Sequence, residues 1–386
     1  MLKDVRTKKI LKEFLFPLFT FLNKFVPKKE NIVLLYSANG GICHSLVPLR
    51  DYLLDNGYQN KYRIYCGIED MKYAEELNDV RFISHMRSFF LFFKAKYVFY
   101  TTGQIPIKPS KLQTVIQLGH GITDFKTGGK LTKINNGDEF FFSYILVSSE
   151  LYIPIYAEEY ECGIELVKPL GDILADQLLK CSREKRLFVE YDKLLVWFPT
   201  YRKSDYLGHD DSNVESLVPM FNEADYVDLN EHLRKKNIKL VVKTHPAQTN
   251  VGSGQRHFSN LDIYTHDEFL KEGLDVYSLF AQADGMIGDY SSMSLHALLI
   301  DIPLAFVVPD LEEYSQKRGF VFKDPTDYMC GEIINTQKDF YSFLDNFVEG
   351  KDSYKSKRHK VKDIIFKYQD GQTCRRAVEL SGMCIS

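Results

Sequence analysis

Apolar and polar positions along this chain follow two periods. Short β-branched and apolar runs recur between stretches with i, i+3, i+4 spacing. In the first half the runs are Ile32–Ser37, Tyr62–Cys66, Tyr97–Thr101, Gln113–Gln117 and Tyr144–Ser148, with helical patterns such as Leu46–Asn56 and His85–Ala95 between them. In the second half they are Leu194–Phe198, Lys239–Lys243, Leu261–Tyr264, Gly285–Ile287 and Leu304–Val308, with helical patterns near Leu229–Lys236, Val276–Gln282 and Ser292–Ile300. Continuous apolar strands separated by helices predict parallel sheets covered on both faces. The fold class is therefore α/β, with two Rossmann-like domains. A boundary falls near 170–190, where Pro169-Leu-Gly171 leads into a charged helix, and the tail from Asp352 reads as one or two helices.

The N-terminal segment has its own pattern. Ile10, Leu11, Phe14, Leu15, Leu18, Leu22, Phe25 and Val26 fall on one helical face, among Lys8, Lys9, Lys12 and Lys24. The uncharged run Phe14–Asn23 is about half of the ~20 residues that span a bilayer. Pro17 is expected to kink it. A basic amphipathic helix with a Phe-rich face lies in a membrane interface; the alternative is a terminal helix packed on the protein itself. The flanking bases favour the membrane. No small-residue cleavage site succeeds the apolar stretch, so a secretory signal peptide is not expected.

Composition narrows the classes. The 386 residues suit two domains of ~150–200 residues. With 45% hydrophobic and 26% charged residues the chain is globular, and a net charge of −3 gives no global pull toward nucleic acid. The seven cysteines are scattered without a CxxC, which argues against a zinc site or disulfide framework and for a reducing compartment.

Ligands of doubly wound sheets bind beyond the carboxyl ends of the strands, so the residues just after each strand carry the chemistry. Gln117-Leu-Gly-His-Gly121 comes directly after one strand. Its glycines allow a sharp turn, and a neutral His120 there can take a proton from a hydroxyl, unless it is only a surface His in a turn. Lys243-Thr-His-Pro246 places two cationic side chains at another strand end, suited to a phosphate or simply to a turn. Gly288-Asp-Tyr-Ser-Ser292 opens an apolar helix. Its serines serve as a cap, and a helix start with two hydroxyls is also an anion site. In Phe198-Pro-Thr-Tyr-Arg202 the Arg can fork onto a phosphate. Asp310-Leu-Glu-Glu-Tyr314 with Arg318-Gly319 comes after the last strong strand. His44 lies near the first strand end without a GxGxxG pattern, and His266-Asp267 reads equally well as a plain loop start.

Taken in order, Gln117–Gly121, Pro199–Arg202, His245–Pro246, Asp289–Ser292 and Asp310…Tyr314…Arg318-Gly319-Phe320 resemble the CDP-glycerol-dependent glycerol-phosphate transferases, the teichoic acid primases and polymerases. The resemblance spans roughly residues 90–350. The sequence departs from the family's pattern at Leu118-Gly119, at Lys243-Thr244 and at Gly288.

The resemblance implies two facing Rossmann-like domains of the GT-B type. Residues 1–29 would be the amphipathic membrane-associating helix, 30–185 the acceptor domain, 186–350 the CDP-donor domain, and 351–386 C-terminal helices crossing back. It implies transfer of glycerol phosphate from CDP-glycerol to a hydroxyl of a lipid-linked saccharide or polymer acceptor, with CMP leaving. His120 matches the base, and His245 is the second catalytic candidate. Thr200, Arg202, Lys243, Asp289, Ser291, Ser292 and Arg318 would bind the donor. Gln117, Gly121 and Lys126 would serve the acceptor side. No metal and no cofactor is implied beyond the CDP-alditol substrate. The implied location is the cytoplasmic face of a bacterial membrane, with no nucleic acid partner and oligomerisation left open. A chain this short fits a primase, or a single-unit transferase for capsule or lipopolysaccharide, better than a polymerase with an added domain. CDP-ribitol as donor, a nucleotide-sugar glycosyltransferase on the same fold, and a non-catalytic scaffold of a polymer-export complex are the alternatives.

Overall fold

The computed structural model describes residues 15–119, 124–132, 139–181, 187–204, 209–214, 216–246, 248 and 254–385. The described residues within 1–122, 137–176 and 370–386 form one compact unit, and those within 123–136 and 177–369 form another.

The first unit is built on a seven-stranded sheet. Its strands are β1 (Lys29–Tyr36), β2 (Arg63–Ile68), β3 (Val80–Ser84), β4 (Ala95–Tyr100), β5 (Thr114–Gln117), β6 (Tyr144–Val147) and β7 (Val167–Pro169). They lie in the order β3-β2-β1-β4-β5-β6-β7, and every pairing is parallel. The central strands are apolar on both faces because helices cover both: Val33, Leu34 and Leu35 are wholly buried. Strand order reverses between β1 and β4.

The second unit holds β8 (Lys193–Trp197), β11 (Ile238–Lys243), β12 (Leu261–Tyr264), β13 (Gly285–Gly288), β14 (Leu304–Val307) and β15 (Glu332–Ile334). A two-residue hairpin, β9 (Lys203–Ser204) with β10 (His209–Asp210), stands apart from the sheet. The sheet order is β12-β11-β8-β13-β14-β15, again all parallel. Here the order reverses between β8 and β13. The α/β expectation therefore holds for both units. In the two large sheets three strands escaped the sequence pattern, β3, β7 and β15, each at the edge of its sheet, as did the short β9 and β10.

Of the C-terminal helices, Lys355–Ile365 packs in the second unit and Thr373–Ser381 in the first. Arg358 secures the former between Asp301 and Asp352. Asp176 Oδ2 accepts the Thr373 N–H at 2.8 Å to secure the latter, and Arg376 Nε donates to the Leu170 carbonyl at 2.7 Å. Burial raises the Asp176 carboxyl to about 6.

Residues 1–14 of the expected amphipathic helix lie outside the described residues. Its described part is a helix over Phe16–Asn23. Pro17 does not kink it, because it sits in the first turn, where a missing N–H costs nothing. Asn23 is wholly buried and donates to the Lys108 carbonyl and Gln113 Oε1. Phe19 packs edge-on against Phe89 and Phe93 of the neighbouring helix His85–Phe92 and its end. Leu18, Phe21, Leu22 and Phe25 stay exposed. Among the described residues no helix is long and apolar enough to cross a membrane.

Candidate active site

The carboxyl ends of β8, β13 and β14 are neighbours in the second sheet, and the switch point lies between the first two. In open parallel sheets this is where ligands bind. Each end delivers one part of a buried node.

Arg202 comes from the segment after β8 and is 3% exposed. Its Nε donates to Asp310 Oδ2 at 2.9 Å and its Nη1 to Asp289 Oδ2 at 2.6 Å and the Thr200 carbonyl at 2.7 Å. Asp289, at the end of β13, accepts from the Thr200 N–H (2.8 Å), the Thr200 hydroxyl (2.7 Å) and the Ser291 N–H (3.0 Å). Asp310, beyond β14, also accepts from the Tyr290 hydroxyl at 2.9 Å. The rings of Tyr290 and Tyr314 stack 4.3 Å apart beside the Arg202 guanidinium. Burial would raise the Asp310 carboxyl, but Arg202 outweighs it and holds the group below the usual carboxylate range. Arg202 is thus not a guanidinium open to a phosphate, as its sequence context suggested. Two carboxylates occupy it, and it ties three strand ends together.

What the node presents outward is the start of the next helix. Ser291 caps Ser292–His296, its Oγ accepting the Met293 N–H at 3.4 Å, and a 3-10 turn continues to Ile300. Both serines are partly exposed. Gly288 is required by close approach, since a Cβ there would lie 2.1 Å from Ser294 Oγ.

His245 lies just beyond β11, next to β8 in the sheet. It is exposed, and its ring lies 4.6 Å from that of Tyr201. A small pocket between these strand ends is lined by Pro199, Thr200, Leu217, Pro219, Thr244 and His245. Lys243 does not join His245 in one cationic group. It is buried, donates to the Thr244 carbonyl at 3.2 Å and lies over the Phe269 ring. Burial lowers its pKa to about 8. Arg318 is largely buried, with Nη1 3.9 Å from Asp211 Oδ2.

In the first unit Gln117 ends β5 and is buried; among the described residues nothing donates to its Oε1. Gly119 takes φ +73°, the turn expected of a glycine. Its carbonyl accepts from the Ser45 hydroxyl at 3.0 Å and the Thr101 hydroxyl at 2.5 Å. His120 and Gly121 lie outside the described residues. Lys126, expected on the acceptor side, packs instead with the second unit. Tyr201 and Tyr290 lie inside the strand-end motifs with no role read from them, and Asp211 carried no motif signal at all.

The chain thus contains two doubly wound parallel units, the architecture of the GT-B fold. It matches the CDP-glycerol:poly(glycerophosphate) glycerophosphotransferase family over residues 18–380 and belongs to that family. Over 95% of its length it is 26% identical to the teichoic acid ribitol-phosphate polymerase TarK of Staphylococcus aureus, covering 72% of that protein. It covers 65% of the related polymerase TarL, at 25% identity. To the teichoic acid glycerol-phosphate primase of Bacillus subtilis it is 27% identical over 47% of its own length and 43% of the primase. The wall teichoic acid polymerase TagF shares the fold, with a TM-score of 0.74 at 16% identity over 98% of this chain and 96% of that one.

Proposed function

We propose that the protein transfers an alditol phosphate from a CDP-alditol to a hydroxyl of a lipid-linked saccharide or growing polymer. The observation that carries this reading is the second unit's switch point, where a neutralised Arg202–Asp289–Asp310 node sets a capped helix start two strands along the sheet from the β11 end that bears His245. The acceptor oxygen attacks the β-phosphorus of the donor. The bond from that phosphorus to the bridging oxygen breaks, and CMP leaves with that oxygen. The acceptor proton goes to His120. The Ser291–Ser292 helix start, His245 and Arg318 hold the donor phosphates; Thr200, Arg202 and Asp289 position that helix start. Gln117 and Gly121 serve the acceptor side. The donor is a substrate, and no resident cofactor enters the reading.

Glycerol phosphate is the family's named unit. Ribitol phosphate is favoured by one observation: the ribitol polymerase matches 95% of the chain, the glycerol primase 47%. The chain works at the cytoplasmic face of the membrane, held by the exposed apolar side of the Phe16–Asn23 helix. The test is direct. The full chain is given CDP-glycerol, CDP-ribitol or a nucleotide sugar with an acceptor extract, and CMP release is measured. Release from a CDP-alditol, abolished by His120→Ala, is expected. Turnover of the variant within tenfold of the parent sinks the base assignment, and turnover of only the nucleotide sugar sinks the donor class.

A further inference from the structure

Residues 124–132 group with the second unit, although the described residues before and after them belong to the first. Residues 124–127 lie there as a strap. Phe125 is wholly buried, edge-on to Phe306 at 6.3 Å and Phe322 at 5.9 Å. Its carbonyl accepts the Val321 N–H at 2.8 Å. Thr127 donates through its N–H to the Gly319 carbonyl at 3.2 Å and through its hydroxyl to the Arg318 carbonyl at 2.8 Å. Lys126 faces Phe320 in an antiparallel bridge. With Phe125 and Thr127 turned into the unit, alternation sends Lys126 to the opposite side of the strap.

The charges that act on its ammonium there are Asp124, Arg318, Asp289 and Arg202. Lys126's bridge partner Phe320 has its ring 5.2 Å from that of Tyr290, so the strap runs beside the node that carries the Ser291 helix start. No hydrogen bond or ion pair joins its ammonium to another described residue. Burial holds its pKa below the ordinary lysine value. The carboxylates of Asp124 and Asp289 act on the ammonium without a direct contact and are opposed by Arg318 and Arg202, so a ligand anion in direct contact relieves the cost of its burial. Arg202 offers a phosphate no free positive charge in its place, because Asp289 and Asp310 already neutralise it.

We propose that Lys126 is a ligand of the donor's diphosphate, carried onto the donor-binding unit by the strap that comes after His120 in sequence. This rests on the CDP-alditol reading above. It moves Lys126 from the acceptor to the donor and makes it a positive charge that the donor brings into use.

The experiment is calorimetry on the full chain with CDP-glycerol, CDP-ribitol and cytidine. Lys126→Gln is expected to weaken the CDP-alditol about tenfold or more, to leave cytidine within twofold, and to melt with the parent; Lys126→Arg recovers most of the affinity. A second measurement needs no variant: in the parent, amine acylation of Lys126 read by mass spectrometry is slowed by the CDP-alditol and not by cytidine. Unchanged CDP-alditol affinity in Lys126→Gln, equal losses for donor and cytidine, or acylation indifferent to the donor overturns the proposal alone. A parent that binds neither CDP-alditol overturns the functional reading as well.

Discussion

Arg202 Nη1 lies 2.6 Å from Asp289 Oδ2, and through that contact an arginine with 3% exposure controls a helix start it does not touch. Asp289 spends its other oxygen on the Thr200 hydroxyl and the Ser291 N–H. Remove the guanidinium and two buried carboxylates lose their counter-charge. Breaking one partner of a buried pair costs about 3–5 kcal/mol. Arg202→Met is therefore expected to lower stability by that order in urea unfolding. Arg202→Lys should recover little, because one ammonium cannot reach Asp289 and Asp310 as a planar fork does. A lysine variant as stable as the parent would show that the fork geometry is irrelevant.

The helix start itself is tested by Ser291→Ala with Ser292→Ala. Loss of the cap costs about 1 kcal/mol of stability. Hydrogen bonds to a charged phosphate contribute ~1.5–3 kcal/mol each, so donor affinity should fall by about tenfold or more. Calorimetry with the CDP-alditol checks it, and unchanged affinity would place the phosphates elsewhere.

The contrast between these residues shows how far the sequence could be read. The central strands were legible because burial on both faces leaves a run such as Ile32–Tyr36 with no polar position. Three of the four edge strands were not, β12 being the exception. β3 carries Arg81 and is mostly half-exposed, β7 is three residues with Lys168 and Pro169, and β15 begins at Glu332. An edge needs no second apolar face and tolerates proline. The site motifs were legible at strand ends, but their pairing was not. Arg202 is 108 positions from Asp310, and Lys126 finds its partner only at Phe320. Long-range neutralisation leaves no local period, so Arg202 read as a phosphate ligand and Lys126 as part of the first domain.

Asp176 gives a pH signature. Burial raises its carboxyl to about 6, so the fold favours the protonated form. That contribution is complete below the unfolded value near 4 and is lost as pH rises through about 6. Asp176→Asn stays neutral, and its side-chain carbonyl can still accept the Thr373 N–H. At pH 8 the variant should be more stable than the parent by about 1–3 kcal/mol, since each pKa unit is worth about 1.4 kcal/mol. At pH 4 the two should coincide. Thermal melts across this range decide the matter, and a variant less stable than the parent at pH 8 contradicts the buried-acid account.

The helix Phe16–Asn23 is fastened on one side by Asn23 and Phe19. On the other, Leu18, Phe21, Leu22 and Phe25 are 44–69% exposed, and Met86 and Phe90 of the adjoining helix are exposed as well. Monomeric proteins seldom leave so many large apolar side chains together. Lys24, Lys29, Arg87 and Lys94 are exposed among them, the charge that an anionic lipid surface attracts. Two buried Phe rings contribute ~1.5–3 kcal/mol each, so Phe21→Asp with Phe25→Asp should reduce co-sedimentation with phosphatidylglycerol vesicles by about tenfold or more. Higher salt should weaken the parent's binding, because the lysines act through a screened field. CMP release from a water-soluble acceptor should not change, since neither Phe belongs to the unit that holds Ser291. Equal sedimentation of variant and parent would mean that the apolar face serves something other than lipid.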